Sequence, residues 1–289
     1  MTTKYKIIGG FMCMVVLLAG LSSFAALRLG EIVDGFVGYR SEARTAVNAN
    51  VADGLIREAK DNISNFVITL DTPFMDKARS YLEESGKEIA ATQEVELDPA
   101  QREDLGKVAN KVSSMEDMTR QVQEGLLSAQ SVVNEVIKPA AIQINDTLTK
   151  VNAAARLANN DRLLEAVDNA YSMFMDIRVL VRVYNANYQP EDGAAAEKLL
   201  PQFAETLKGM SAMATSFGET QSVNELSDIF ARYSKGFADV DASIKNSIQT
   251  RADMAAMTAD LGTFFDNYPD SAQKNMNTLG AELQSDSEN

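Results

Sequence analysis

Apolar residues recur at intervals of three and four through most of the chain after residue 30. Leu55, Ala59, Ile63, Phe66 and Leu70 form one such series; Val108, Val112, Met115, Val122 and Leu126 form another. This spacing follows the 3.6-residue turn of an α-helix and puts the apolar side chains on one face. No convincing strand pattern occurs. Three of the six prolines lie where the periodicity lapses, in LDTPF at 70–74, ELDPAQ at 96–101 and YQPEDG at 188–193. Asp71-Thr72-Pro73 and Asp98-Pro99 read as an N-cap followed by proline at the start of a helix. The pattern predicts an all-α chain of six helices, at roughly 30–70, 74–92, 100–158, 160–188, 192–217 and 221–286. The third and sixth would each run on the order of 90 Å at 1.5 Å per residue. Pro139 and Pro269 are expected to kink them.

The first thirty residues depart from this amphipathic pattern. Lys4 and Lys6 precede Ile7 to Leu27, 21 residues without a charge. About 20 apolar residues suffice to cross a bilayer as a helix. The expectation is an anchor at residues 1–29 with a cytoplasmic N-terminus, by the excess of lysine before the span. The rival is a cleaved signal peptide, since Ser23-Phe24-Ala25 resembles a small-x-small cleavage site. Either reading places residues 30–289 outside the cytoplasm. Cys13 falls within the span and reads as a small buried hydrophobe.

A faint repeat runs through the remainder. Leu55-Ile56-Arg57 precedes Asp176-Ile177-Arg178 by 121 residues, and Leu105 precedes Leu226 by the same distance. A short helix, a second short helix and a long one thus occur twice, and repeats decide architecture. The expected layout is two stacked four-helix bundles. The membrane-proximal bundle would hold about 30–130 and 255–289, and the membrane-distal bundle about 131–254. Short connections between antiparallel neighbours favour such packing.

Composition removes several function classes. The chain carries 27 Lys+Arg against 41 Asp+Glu, a formal charge of −14, which argues against nucleic acid as a partner. It has no His and one Cys, so no metal site of the zinc type and no His-based or Cys–His catalysis is expected. No Gly-rich phosphate loop occurs, and carboxylate pairs such as Glu83-Glu84 read as solvated faces. The methionine pairs 115/118, 210/213 and 254/257 read as core filler. No enzyme activity and no cofactor are expected.

One motif asks for an explanation. MFMDIRVLVRVY, Met173 to Tyr184, is apolar at nine of twelve positions yet holds Arg178 and Arg182 one turn apart. Met173, Ile177, Leu180 and Tyr184 read as the buried stripe, with the arginines about 100° to 140° from its centre. They could cover apolar surface with their stems. Because Met175, Val179 and Val183 extend the apolar character beyond one stripe, they could instead meet a carboxylate with their forked donors. Arg57 and Lys60 sit beside Glu58 and Asp61, and Arg251 lies two residues before Asp253. On physics alone these three read as exposed ion-pair faces.

Six helices, two of them long, in two stacked bundles after one span resemble the helical bimodular sensor domain of bacterial methyl-accepting chemotaxis receptors. The likeness is to receptors for small organic acids such as malate, succinate and acetate, and covers roughly residues 30–288. The motifs are LIREAKDN with Arg57 and Lys60, IRVLVRVY with Arg178 and Arg182, and TRADM with Arg251. Lys60 stands where the family example has arginine. The resemblance implies that these five residues bind a small carboxylate. It also implies a homodimer in the bacterial inner membrane with a periplasmic sensor domain. Such receptors continue into a second span, a HAMP module and a cytoplasmic coiled coil. This sequence ends in QSDSEN at Asn289, so a truncated receptor is expected, or else a single-span protein that signals through a partner. Two rival readings are the sensor of a histidine kinase that reads a periplasmic binding protein, and a helical stalk without a ligand.

Overall fold

A computed structural model describes the backbone of residues 3–96 and 98–288, and the side chains of most residues from 14 to 268. Among them there is no strand. The elements are α1 (Thr3–Thr69), α2 (Thr72–Val95), α3 (Pro99–Val132), a π-helical turn (Val133–Ile137), α4 (Lys138–Leu157), α5 (Asp161–Asn187), α6 (Pro190–Met213) and α7 (Phe217–Glu288). The chain is all-α, as the periodicity predicts. The third predicted helix is present as α3, the π turn and α4 in one helical run. Pro139 supplies the reason for the interruption: without an N–H it cannot close the ladder, and the turn before it widens. The N–H of Lys138 donates to Val133, five residues back.

Local chemistry sets the helix ends. Asp98 accepts the N–H of Ala100 at 2.8 Å, with Pro99 opening α3, as the sequence predicts. Asn160 caps α5 by accepting the N–H of Leu163. Both α1 and α5 end on a left-handed residue, Leu70 and Tyr188, whose N–H bonds the carbonyl four residues earlier.

The chain divides into two compact units. The first comprises residues 1–64, 73–117 and 255–289, and gathers segments of α1, α2, α3 and α7. Its core is built from small residues on α1, Ala49, Ala52 and Ala59, against larger ones such as Met75, Leu82, Val112 and Phe265. Ser85 of α2 donates to the carbonyl of Ala52 at 3.1 Å, and the small side chains permit that close approach. Buried Glu96 closes the end of α2: it accepts the Asp98 N–H at 2.9 Å and the Tyr268 hydroxyl.

The second unit comprises residues 65–72 and 118–254. Its core is aromatic. Phe174 stands edge-on to Tyr233 at 5.4 Å and lies 5.6 Å from Phe203, which in turn packs on Phe230 at 4.5 Å. Close to this core, Gly193 of α6 sits so near the Tyr184 ring that an added Cβ would lie 2.8 Å from Cζ. Gly193→Ala should therefore lower the melting temperature. The overpacking cost of about 1–3 kcal/mol outweighs the roughly 1 kcal/mol that alanine gains in a helix. A thermal melt that rises instead would show that the ring moves aside freely.

Among the described residues no helix is long and apolar enough to cross a membrane. Much of the predicted span, Ile7–Leu27, lies outside the residues whose side chains are described, and so does Cys13.

Candidate anion site on helix α5

The rotation of α5 in the second unit decides where its arginines stand. Its buried residues are Leu163, Val167, Ala170, Phe174, Ile177, Val181 and Tyr184. This differs from the expected stripe: Ile177 and Tyr184 belong to it, whereas Met173 and Leu180 are only half-buried. Phe174 makes the difference. Its ring inserts between Phe203 and Tyr233, so the buried face is centred towards Phe174 and Val181 instead of Met173 and Leu180. Arg178 then lies about 80° and Arg182 about 120° from the centre of the buried face.

Arg178 is half-buried, and its Nη1 donates to the Met175 sulfur at 3.6 Å, a weak bond. Its charge acts on the hydroxyl of Tyr233, which is 1% exposed. Burial pushes that phenol well above its ordinary range, and the guanidinium pulls it partly back. Arg182, one turn on, is exposed beside Val179 and Val183, which are 57% and 37% exposed. Among the described residues neither arginine has a carboxylate in ion-pair range. The arrangement is two adjacent cations, one of which acts on a buried tyrosine hydroxyl, bordered by apolar side chains.

One turn further, Tyr184 donates to Asp241 at 2.8 Å from a fully buried position. Asp241 also pairs with Lys245 at 2.7 Å, and Lys245 with Glu197 at 2.9 Å. Burial first, and the Asp241 bond second, raise the Tyr184 phenol beyond its usual range. Hydrogen bonds to Asp241 and Glu197 raise Lys245. This network ties α5, α6 and α7 together, and holds the segment that carries the arginines. Sequence reasoning missed Tyr233, Glu197, Asp241 and Lys245 as parts of this region. Only the four-residue spacing of Asp241 and Lys245 signals any of it.

The other candidates stand apart from this pair. Arg57 is exposed in the first unit and forms an ion pair with Asp53 at 2.8 Å, one turn back on α1. Lys60 is exposed on the same helix. Arg251 belongs to the second unit, is half-buried, and lies near the Gln249–Asp253 hydrogen bond of 2.8 Å. The structure therefore places Arg178 and Arg182 on one face and separates Arg57 and Lys60 from Arg251 by unit. Among the described residues no group of three or more His, Cys, Asp or Glu could hold a metal ion. No protein-family model matches the chain, and a comparison with curated proteins finds no match.

Proposed function

We propose that the chain is an extracytoplasmic sensor domain of the chemoreceptor kind that binds a small carboxylate through Arg178 and Arg182. The observation that carries this reading is the unneutralised pair on α5. Arg57 has an acidic partner one turn away, whereas among the described residues Arg178 has a thioether contact and no counter-charge. A half-buried guanidinium without a counter-charge is poorly solvated, so an incoming carboxylate gains charge-assisted bonds that water did not fully supply. Arg57, Lys60 and Arg251 would serve a second site or none.

The outward face of α5 favours a second copy of the chain as its cover. Tyr171, Val179 and Val183 are exposed there beside Arg182. A homodimer would bury these side chains and exclude water from the bound anion. Residues Ile7–Leu27 would anchor the domain in the bacterial inner membrane with the sensor in the periplasm. Ligand binding would shift a small equilibrium between helix positions through its differential affinity for the two states. The output would be a displacement of about one or two Å along a helix.

Calorimetric titration of the full chain with acetate, malate and succinate tests the site. Arg182→Ala should weaken the bound acid about tenfold to a hundredfold, since a charge-assisted bond is worth roughly 1.5–3 kcal/mol. Arg182→Lys should recover only part of that, because an ammonium lacks the fork. Without ligand, both variants should melt close to the parent. If Arg178→Ala and Arg182→Ala leave the affinity of a bound carboxylate unchanged, the α5 site is wrong.

A further inference from the structure

A cavity that the α5 site does not use lies at the π turn, Val133–Ile137. The cavity measures about 450 Å³ and lies within the second unit, between the run leading into α4 and the facing part of α7. Its volume falls in the range of small-molecule sites, about 300–1,000 Å³. π turns occur often at functional sites, because the extra residue displaces side chains that a regular helix would keep in line. Here Gly236 of α7 accommodates the widened turn: a Cβ at that position would lie 3.0 Å from Val136 Cγ1.

The lining is sorted by chemistry. Val136, Pro139, Ala140 and Gly236 are its apolar lining, and the exposed Glu135, Arg232, Lys235 and Asp239 are its charged rim. Each rim charge is held by a replaceable surface bond. Lys235 pairs with Asp239 at 2.7 Å, Arg232 donates to Gln143 at 2.9 Å, and Ser131 donates to Glu135 at 3.1 Å. Exposed contacts of this kind contribute little to stability, so a ligand can displace them at little cost.

We propose that this cavity binds a small aliphatic α-amino acid as its zwitterion. The ligand carboxylate meets Arg232 and Lys235, its ammonium meets Glu135 and Asp239, and its side chain lies on Val136 and Pro139. The balance of the rim excludes other charge types. A dicarboxylate would face two acids, and a diamine would face two cations; each leaves like charges opposed. The α5 arginines lack such acids, so the two sites differ in ligand class, and this one does not depend on the carboxylate reading.

The full chain is titrated calorimetrically with L-alanine, L-valine and L-leucine. Isovalerate and isobutylamine, which are L-valine without its ammonium and without its carboxylate, serve as controls. At least one amino acid should bind, with L-valine at least about tenfold tighter than either control, as expected for loss of one charge-assisted contact. Arg232→Gln and Asp239→Asn should each weaken the amino acid by about tenfold or more, while Arg178→Ala leaves it unchanged. Circular dichroism melts establish that each variant folds, and Asp239→Asn alone decides if Arg232→Gln does not. The proposal is overturned if none of the three amino acids binds. It is overturned equally if isovalerate binds as well as L-valine, or if Arg178→Ala rather than the rim variants removes binding.

Discussion

Glu219→Ala should destabilise the second unit by about 2–4 kcal/mol, from the loss of a capping carboxylate and its charged hydrogen bonds. Glu219 sits in the first turn of α7 and is fully buried. One of its oxygens accepts the N–H groups of Thr215 and Ser216, both at 2.7 Å, and the Thr215 hydroxyl at 3.0 Å. The other accepts from Asn160 at 2.9 Å, while Asn160 also donates to the carbonyl of Met213. The N–H of Glu219 returns to the Ser216 hydroxyl at 3.2 Å, which completes a capping box. One carboxylate therefore joins the α6–α7 connection to the cap of α5. Burial alone would raise its pKa, but the bonds from Thr215, Ser216 and Asn160 outweigh burial and hold it at about 2.

The pH dependence follows from that depression. The contribution of Glu219 is fully present above the unfolded carboxyl value of about 4.3 and is lost as pH falls towards the folded value. Urea unfolding at neutral and acid pH, with Glu219→Gln beside the parent, checks this. The stability gap between the two proteins should narrow as pH drops from about 5 to about 2. A gap that stays constant would mean the charge of Glu219 contributes nothing.

Phe174→Ala should have the largest effect of any single substitution considered, a loss of about 3–5 kcal/mol. The ring is completely buried and meets Phe203 of α6 and Tyr233 of α7. Its removal leaves a cavity bounded by other rings, which are too rigid to collapse into it. Phe174→Leu, closer in volume, should lose much less. Thermal melts of both variants give the comparison. Near-parent stability in the alanine variant would show that the helices close over the gap.

The contrast between Arg57 and Arg178 shows what a repeat can and cannot convey. The two stand 121 residues apart in matching Ile-Arg contexts. Four residues earlier, the first has Asp53 and the second Phe174. That difference is visible in the sequence, and it decides that one arginine is paired and the other is not. The ion pair of Arg57 was expected as a class, although with Glu58 or Asp61 rather than Asp53. Glu58 is an immediate neighbour and points away, and an acid four residues before a cation is better oriented than one four residues after it, which favours Asp53 over Asp61.

By itself, the sequence determined that the chain is helical, where most helices break, and that Asp98 caps α3. Those properties follow from 3.6-residue spacing, proline and short polar side chains, all of which act within a few residues. Tertiary structure alone decided the rotation of α5, because the apolar positions of MFMDIRVLVRVY permit more than one buried face. The choice depended on Phe203 and Tyr233, which lie 29 and 59 residues further along the chain. It also decided the partners of Tyr184 and Glu219 and the cavity at the π turn, where Gly236 meets Val136. Contacts between residues distant in sequence leave no local pattern, since each depends on the volume and polarity of a side chain carried by another helix.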